Sequence, residues 1–113
     1  EVFEKNNSAY VGKGAAISKY TGARGKSGSN DANAEYLGIL RKAFDDAKVE
    51  YQTAELGRID AGGGGTIAYI PAAYGMDVID IGVPILNMHA PYEVSSKADV
   101  YETTKCYKAF YEM

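Results

Sequence analysis

The chain's only histidine lies in Met88-His89-Ala90-Pro91-Tyr92-Glu93, directly after the apolar run Val78-Ile79-Asp80-Ile81-Gly82-Val83-Pro84. A buried strand that hands one imidazole to a loop is a common way to present a metal ligand. Upstream, Gly62 to Gly65 form a four-glycine loop followed by Thr66. Glycines in front of a helix let backbone N–H groups approach a ligand closely. His89 and the glycine loop together locate a candidate site. Asp80 within the apolar run is costly unless hydrogen-bonded, so a polar partner is expected near it. Supporting the site from behind and making a plain structural bond stand as equal readings for Asp80, and the same holds for Asp60. Arg58 has a solvated surface role as its default reading.

The elements that must carry these residues follow from periodicity. Ala15 to Tyr20 reads as a short strand after a polar, glycine-punctuated opening. From Gly22 to Asn30 the density of glycine and serine argues for a loop, with Ser29 or Asn30 suited to cap a helix. That helix is expected over 31–47, where Tyr36, Ile39, Leu40, Ala43, Phe44 and Ala47 recur at three and four. Val49 to Leu56 reads as a strand, and Thr66 can start a second helix that stops near Gly75. Pro71 forces a late start or a kink there, because beyond the first turn proline loses a backbone bond and clashes with the preceding turn. Val78 to Val83 has the pattern of a central strand covered on both faces. A last helix over 96–111 would set Val100, Thr103 or Thr104, Tyr107 and Phe110 on one side.

Strand and helix alternate three times, which is the pattern of an α/β sheet with crossover helices. Three strands make a thin sheet with exposed edges. With 113 residues opening on Glu1 rather than methionine, the chain is expected to be part of something longer whose further strands complete the sheet.

Composition narrows the function classes. Hydrophobic residues are 46% and charged residues 24%, an ordinary globular balance rather than that of a disordered tail. Twelve basic and 15 acidic residues are interspersed for a net charge of −3, so no basic stripe faces a phosphate backbone and nucleic acid is excluded as a partner. No apolar stretch approaches the ~20 residues of a membrane helix, so no membrane partner is expected. The single cysteine, Cys106, reads as a small buried thiol and fits a reducing, cytoplasmic compartment. The ten tyrosines read mostly as residues at the rim of the core.

Several motifs, in their order and spacing, resemble the M18 family of zinc aminopeptidases, the aspartyl aminopeptidase or aminopeptidase I group. They are the strand end Ile17-Ser18-Lys19, the helix opening Ser29-Asn30, Arg58-Ile59-Asp60 before Gly64-Gly65-Thr66-Ile67, and Asp80-Ile81-Gly82-Val83-Pro84 before Met88-His89. The stretch from Arg24 to Asn33 is similar to the bacterial branch.

The resemblance covers nearly the whole chain and implies residues 1–113 to be the C-terminal segment of a three-layer αβα zinc-peptidase (phosphorylase/hydrolase-like) catalytic domain. It implies a two-zinc exopeptidase that removes N-terminal residues from peptides, in which a carboxylate base activates water and the metals polarise the peptide carbonyl. His89 matches the late histidine ligand; the other ligands of the set would lie before Glu1, so the segment alone is expected to be inactive. Lys19 matches a substrate-contacting lysine, and the amides of Gly64, Gly65 and Thr66 would line the substrate pocket. Where animal members carry a substrate-contacting tyrosine, this chain has Lys26-Ser27-Gly28, so a preference for acidic N-terminal residues is not carried over. Large closed homo-oligomers are implied by resemblance alone.

Two other functions compete. A small phosphate or nucleotide-binding module would use the glycine loop, but the lysine that a Walker loop requires after its glycines is missing. A non-catalytic interaction domain with the same fold would be stabilised by neither metal nor peptide.

Overall fold

The computed structural model describes residues 5–23, 27–55 and 66–113. Gly57 to Gly65, including Arg58 and Asp60, lie outside the described residues. The central sheet has the order β4-β1-β5, with β1 Ala15–Ser18, β4 Tyr51–Thr53 and β5 Asp80–Gly82. β1 and β4 are parallel, with Ala15 opposite Tyr51 and Ile17 opposite Thr53. The crossover between them holds helix α1, Ala34–Asp46, as the α/β alternation predicts.

Among the described residues Val78 to Val83 does not form the central strand of this sheet. β5 sits at the sheet edge and runs antiparallel to β1, with Asp80 opposite Ser18 and Gly82 opposite Ala16. Its residues are half-buried or exposed, so the described residues do not supply the covering on both faces that its apolar run calls for.

Alternation along β1 sends Ala15 and Ile17 into the core, where both are fully buried. They pack against Leu40 and Phe44 of α1 and against Cys106 and Ala109 of α3, Lys97–Tyr111. The Phe44 ring meets Tyr51 of β4 edge-on at 5.6 Å. Burial pushes the Cys106 thiol up to about 11, with Glu102 adding to the shift, so the group is an inert core residue.

The face of α3 is turned by one residue from the expected stripe. Asp99, Thr103, Cys106 and Ala109 are buried, whereas Val100, Tyr107 and Phe110 are 46%, 47% and 39% exposed. The reason is Asp99, whose carboxylate accepts hydrogen bonds from the backbone N–H groups of Gly12 (2.7 Å) and Gly14 (2.9 Å). A polar residue thus occupies a core-facing position that apolar periodicity passes over.

The glycine- and serine-rich stretch is a β-hairpin rather than a loop. β2, Tyr20–Ala23, pairs antiparallel with β3, Ser27–Asp31, through Tyr20 opposite Asp31 and Thr21 opposite Asn30. Its glycines permit close packing: a Cβ on Gly22 would stand 2.9 Å from that of Ser29.

Because 27–31 are committed to a strand, neither Ser29 nor Asn30 caps α1. The cap is Asn33, whose Oδ1 accepts from the N–H of Glu35 (2.8 Å) and Tyr36 (3.4 Å). Asn33→Ala should therefore cost about 1 kcal/mol of stability. Denaturant titration checks this, and an unchanged midpoint would remove Asn33 as the cap.

Helix α2, Tyr69–Ala72, starts late as Pro71 demands, placing the proline within its first turn where no N–H bond is lost. It packs on β3, with the Tyr69 ring 3.2 Å from where a Gly28 side chain would begin. A second hairpin, β6 Ile85–Leu86 with β7 Val94–Ser95, precedes α3. None of the described helices is long and apolar enough to cross a membrane.

Candidate functional site

Parallel β1 and β4 end at the same rim of the sheet, the end at which open α/β sheets place their ligands. Lys19 follows β1 directly and Glu55 lies two residues beyond β4. The hairpin register sets Asp31 beside this rim, and the Lys19 ammonium forms an ion pair with its carboxylate. The main chain is tied there as well, since the Ala32 N–H donates to the Lys19 carbonyl at 2.7 Å.

Glu55 completes a group of one cation and two carboxylates. Burial pushes its carboxyl above the ordinary value, a hydrogen bond from the Tyr20 backbone opposes this, Asp31 raises it further and Lys19 lowers it. Its Oε2 is enclosed and has no hydrogen-bond partner among the described residues. Sequence reasoning missed Asp31 and Glu55. A charged residue directly after the strand end Thr53-Ala54 is the one available signal for Glu55, and none exists for Asp31 because hairpin register is invisible in composition.

Asp80, opposite Ser18, reaches the same rim of the sheet, since β5 begins where β1 ends. Its Oδ2 is also enclosed, and among the described residues it lacks the polar partner expected from the sequence. Beside it, Asn30 donates from its side-chain amide to the Val78 carbonyl at 3.0 Å, so the hairpin fixes the approach to β5. A groove of about 210 Å³ between α1, β5 and α3 is lined by Tyr36, Ile79, Asp80, Ile81, Tyr107 and Phe110, among others.

His89 is placed differently from the expectation. It does not follow the β5 strand directly but sits in the turn of the β6–β7 hairpin, and antiparallel β5 first carries the chain away from Lys19. Among the described residues no hydrogen bond or ion pair joins His89 to the Lys19 group. The His89 backbone is in the left-handed region at φ 69, as is Asn87 at φ 58. Asn and His are among the non-glycine residues that adopt that region most readily. The backbone is fixed by a 2.6 Å hydrogen bond from the His89 N–H to Glu93 Oε1 and by Ala90 N–H donating to the Asn87 carbonyl. The side chain is exposed, and no described residue hydrogen-bonds its ring.

An exposed imidazole on a braced turn suits one coordination bond to a metal. It does not make a zinc site by itself, which needs about three protein donors. No group of three or more His, Cys, Asp or Glu side chains able to hold a metal occurs among the described residues. Thr66 is half-buried, and its Oγ1 accepts from the Ala68 N–H at 3.2 Å, turning the chain into α2. Gly64, Gly65 and Asp60, the other residues expected at the site, lie outside the described residues.

Residues 1–111 match the family model of the aminopeptidase I zinc metalloproteases (M18). A probable M18 family aminopeptidase 1 from Clostridium acetobutylicum is 65% identical over 109 residues, covering 96% of this chain and 23% of that protein. The crystal structure of aminopeptidase I from the same organism superposes with a TM-score of 0.88 over 96% of this chain and 24% of that one. The M18 aminopeptidase structure from Thermotoga maritima gives a TM-score of 0.87 at 49% identity, with 96% and 24% coverage. The chain thus spans about a quarter of the length of these relatives.

Proposed function

Given that the chain belongs to the aminopeptidase I zinc metalloprotease (M18) family, we propose that the whole protein is a zinc-dependent aminopeptidase that removes N-terminal residues from peptides. The observation that carries this reading is the family match, which runs through 1–111 and so includes both the Lys19 rim and the His89 turn. In this reading the zinc centre holds two ions, and His89 supplies one ligand from its hairpin turn. The remaining donors come from other parts of the protein, which also complete a three-layer αβα sandwich around the sheet.

What zinc supplies in peptide hydrolysis is Lewis acidity toward the scissile carbonyl and toward water. The part of His89 is to offer a ring nitrogen that no described residue already occupies. The Glu93 carboxylate fixes the turn from which that nitrogen is presented. Lys19, with Gly64, Gly65 and Thr66, lines the substrate pocket, while Asp60 and Asp80 hold neighbouring groups in place. The enclosed, unpartnered Oδ2 of Asp80 supports this last role, since such an oxygen calls for a donor from outside the described residues. Cytoplasmic residence and a large homo-oligomer belong to the same proposal.

The test is metal removal from the full-length protein. Dialysis against a chelator should abolish release of the N-terminal residue from aminoacyl chromogenic substrates, and added zinc should restore it. Activity that persists in a verified metal-free sample would sink the zinc aminopeptidase reading.

A further inference from the structure

We propose that Asp31 and Glu55 set the charge preference of the Lys19 rim for the substrate's N-terminal side chain, turning it away from acidic side chains and toward neutral and basic ones. This rests on the reading that Lys19 faces substrate. A lone lysine would favour an acidic side chain, but this lysine is already engaged by Asp31. A substrate carboxylate would have to share Lys19 with Asp31 and would lie beside it as a like charge.

Glu55 makes the local charge balance negative, one ammonium against two carboxylates, and Lys19 and Asp31 are the charged groups that act on it. Its Oε2 is enclosed and lacks a donor among the described residues. A substrate ammonium is attracted by that negative balance, whereas a substrate carboxylate is repelled by it. The three groups reach one place from three elements: Lys19 from the end of β1, Asp31 from β3 and Glu55 from beyond β4. That place is the carboxyl rim of the parallel pair, where α/β sheets bind ligands.

The experiment measures kcat/KM of the full-length enzyme on Glu-, Leu- and Lys-p-nitroanilide. Ratios between substrates are used because a partly misfolded preparation scales all three rates equally. Wild type should prefer Leu and Lys over Glu. Asp31→Asn should raise the Glu-to-Leu ratio about tenfold by releasing Lys19, Glu55→Gln should lower the Lys-to-Leu ratio by a similar factor, and Lys19→Met added to Asp31→Asn should abolish the gain on Glu.

If Asp31→Asn leaves the ratio unchanged while Lys19→Met alone shifts it, Lys19 contacts substrate and the proposal for Asp31 is overturned. If Glu55→Gln leaves the Lys-to-Leu ratio unchanged, the role given to Glu55 is overturned. If none of the three variants moves any ratio, Lys19 does not face substrate, and the reading beneath the proposal fails together with it.

Discussion

His89→Ala in the full-length protein should lower bound zinc and reduce kcat/KM on aminoacyl substrates by about 100-fold or more, since even changes behind a ligand typically cost 10- to 100-fold. The substitution removes the chain's single imidazole. It also places alanine at φ 69, where an L residue without a polar side chain is strained. His89→Asn separates the two effects, because asparagine tolerates the left-handed region but lacks an imidazole. Both variants should lose zinc, whereas only alanine should also loosen the turn. Glu93→Gln keeps the imidazole and weakens the charge-assisted bond to the His89 N–H, so its effect should be much smaller. Metal analysis and steady-state rates decide the matter, and full zinc occupancy in His89→Asn would remove His89 from the ligand set.

What could be read in advance followed from side-chain periodicity, and what could not followed from pairing. The α1 stripe was legible because Leu40 and Phe44 recur at helical spacing and end in the core, although Ile39 of the same stripe is 56% exposed. The late start of α2 was legible because proline has one tolerable place in a helix. By contrast, the 20–31 hairpin depends on cross-strand register, which its glycine and serine content conceals, and the strand then withdraws Asn30 from capping α1. Strand direction is equally invisible, since an apolar run reads the same in parallel and antiparallel pairing. That is why β5 was expected at the sheet centre and His89 directly at its end. The Lys19 position was legible as a strand end, but the carboxylates that surround it come from elements far apart in sequence. The M18 resemblance, drawn from the spacing of several weak motifs, is upheld by the family match over 1–111.

The largest stability effect is expected where the loop before β1 is fastened to α3. Gly14→Ala should destabilise the protein by about 3 kcal/mol or more, because two costs coincide there. Gly14 has φ +84, and a Cβ would stand 2.1 Å from the Glu50 carbonyl oxygen, a backbone atom that cannot swing away. Gly12, at φ +90, has nothing within 4 Å of its Cβ position, so Gly12→Ala should show the conformational cost alone, about 1 kcal/mol. Asp99, 1% exposed in the first turn of α3, accepts from both glycine N–H groups, and its negative charge is favourable at a helix N-terminus. Asp99→Ala should therefore cost about 3 kcal/mol, since it leaves two backbone donors without their acceptor. Gly14→Ala and Asp99→Ala disrupt the same junction, so their combined effect in denaturant titration should fall short of the sum. Strict additivity would mean that the steric contact with Glu50 and the carboxylate clasp act independently, and the junction would then not be a single fastening point for β1 beneath the Lys19 rim.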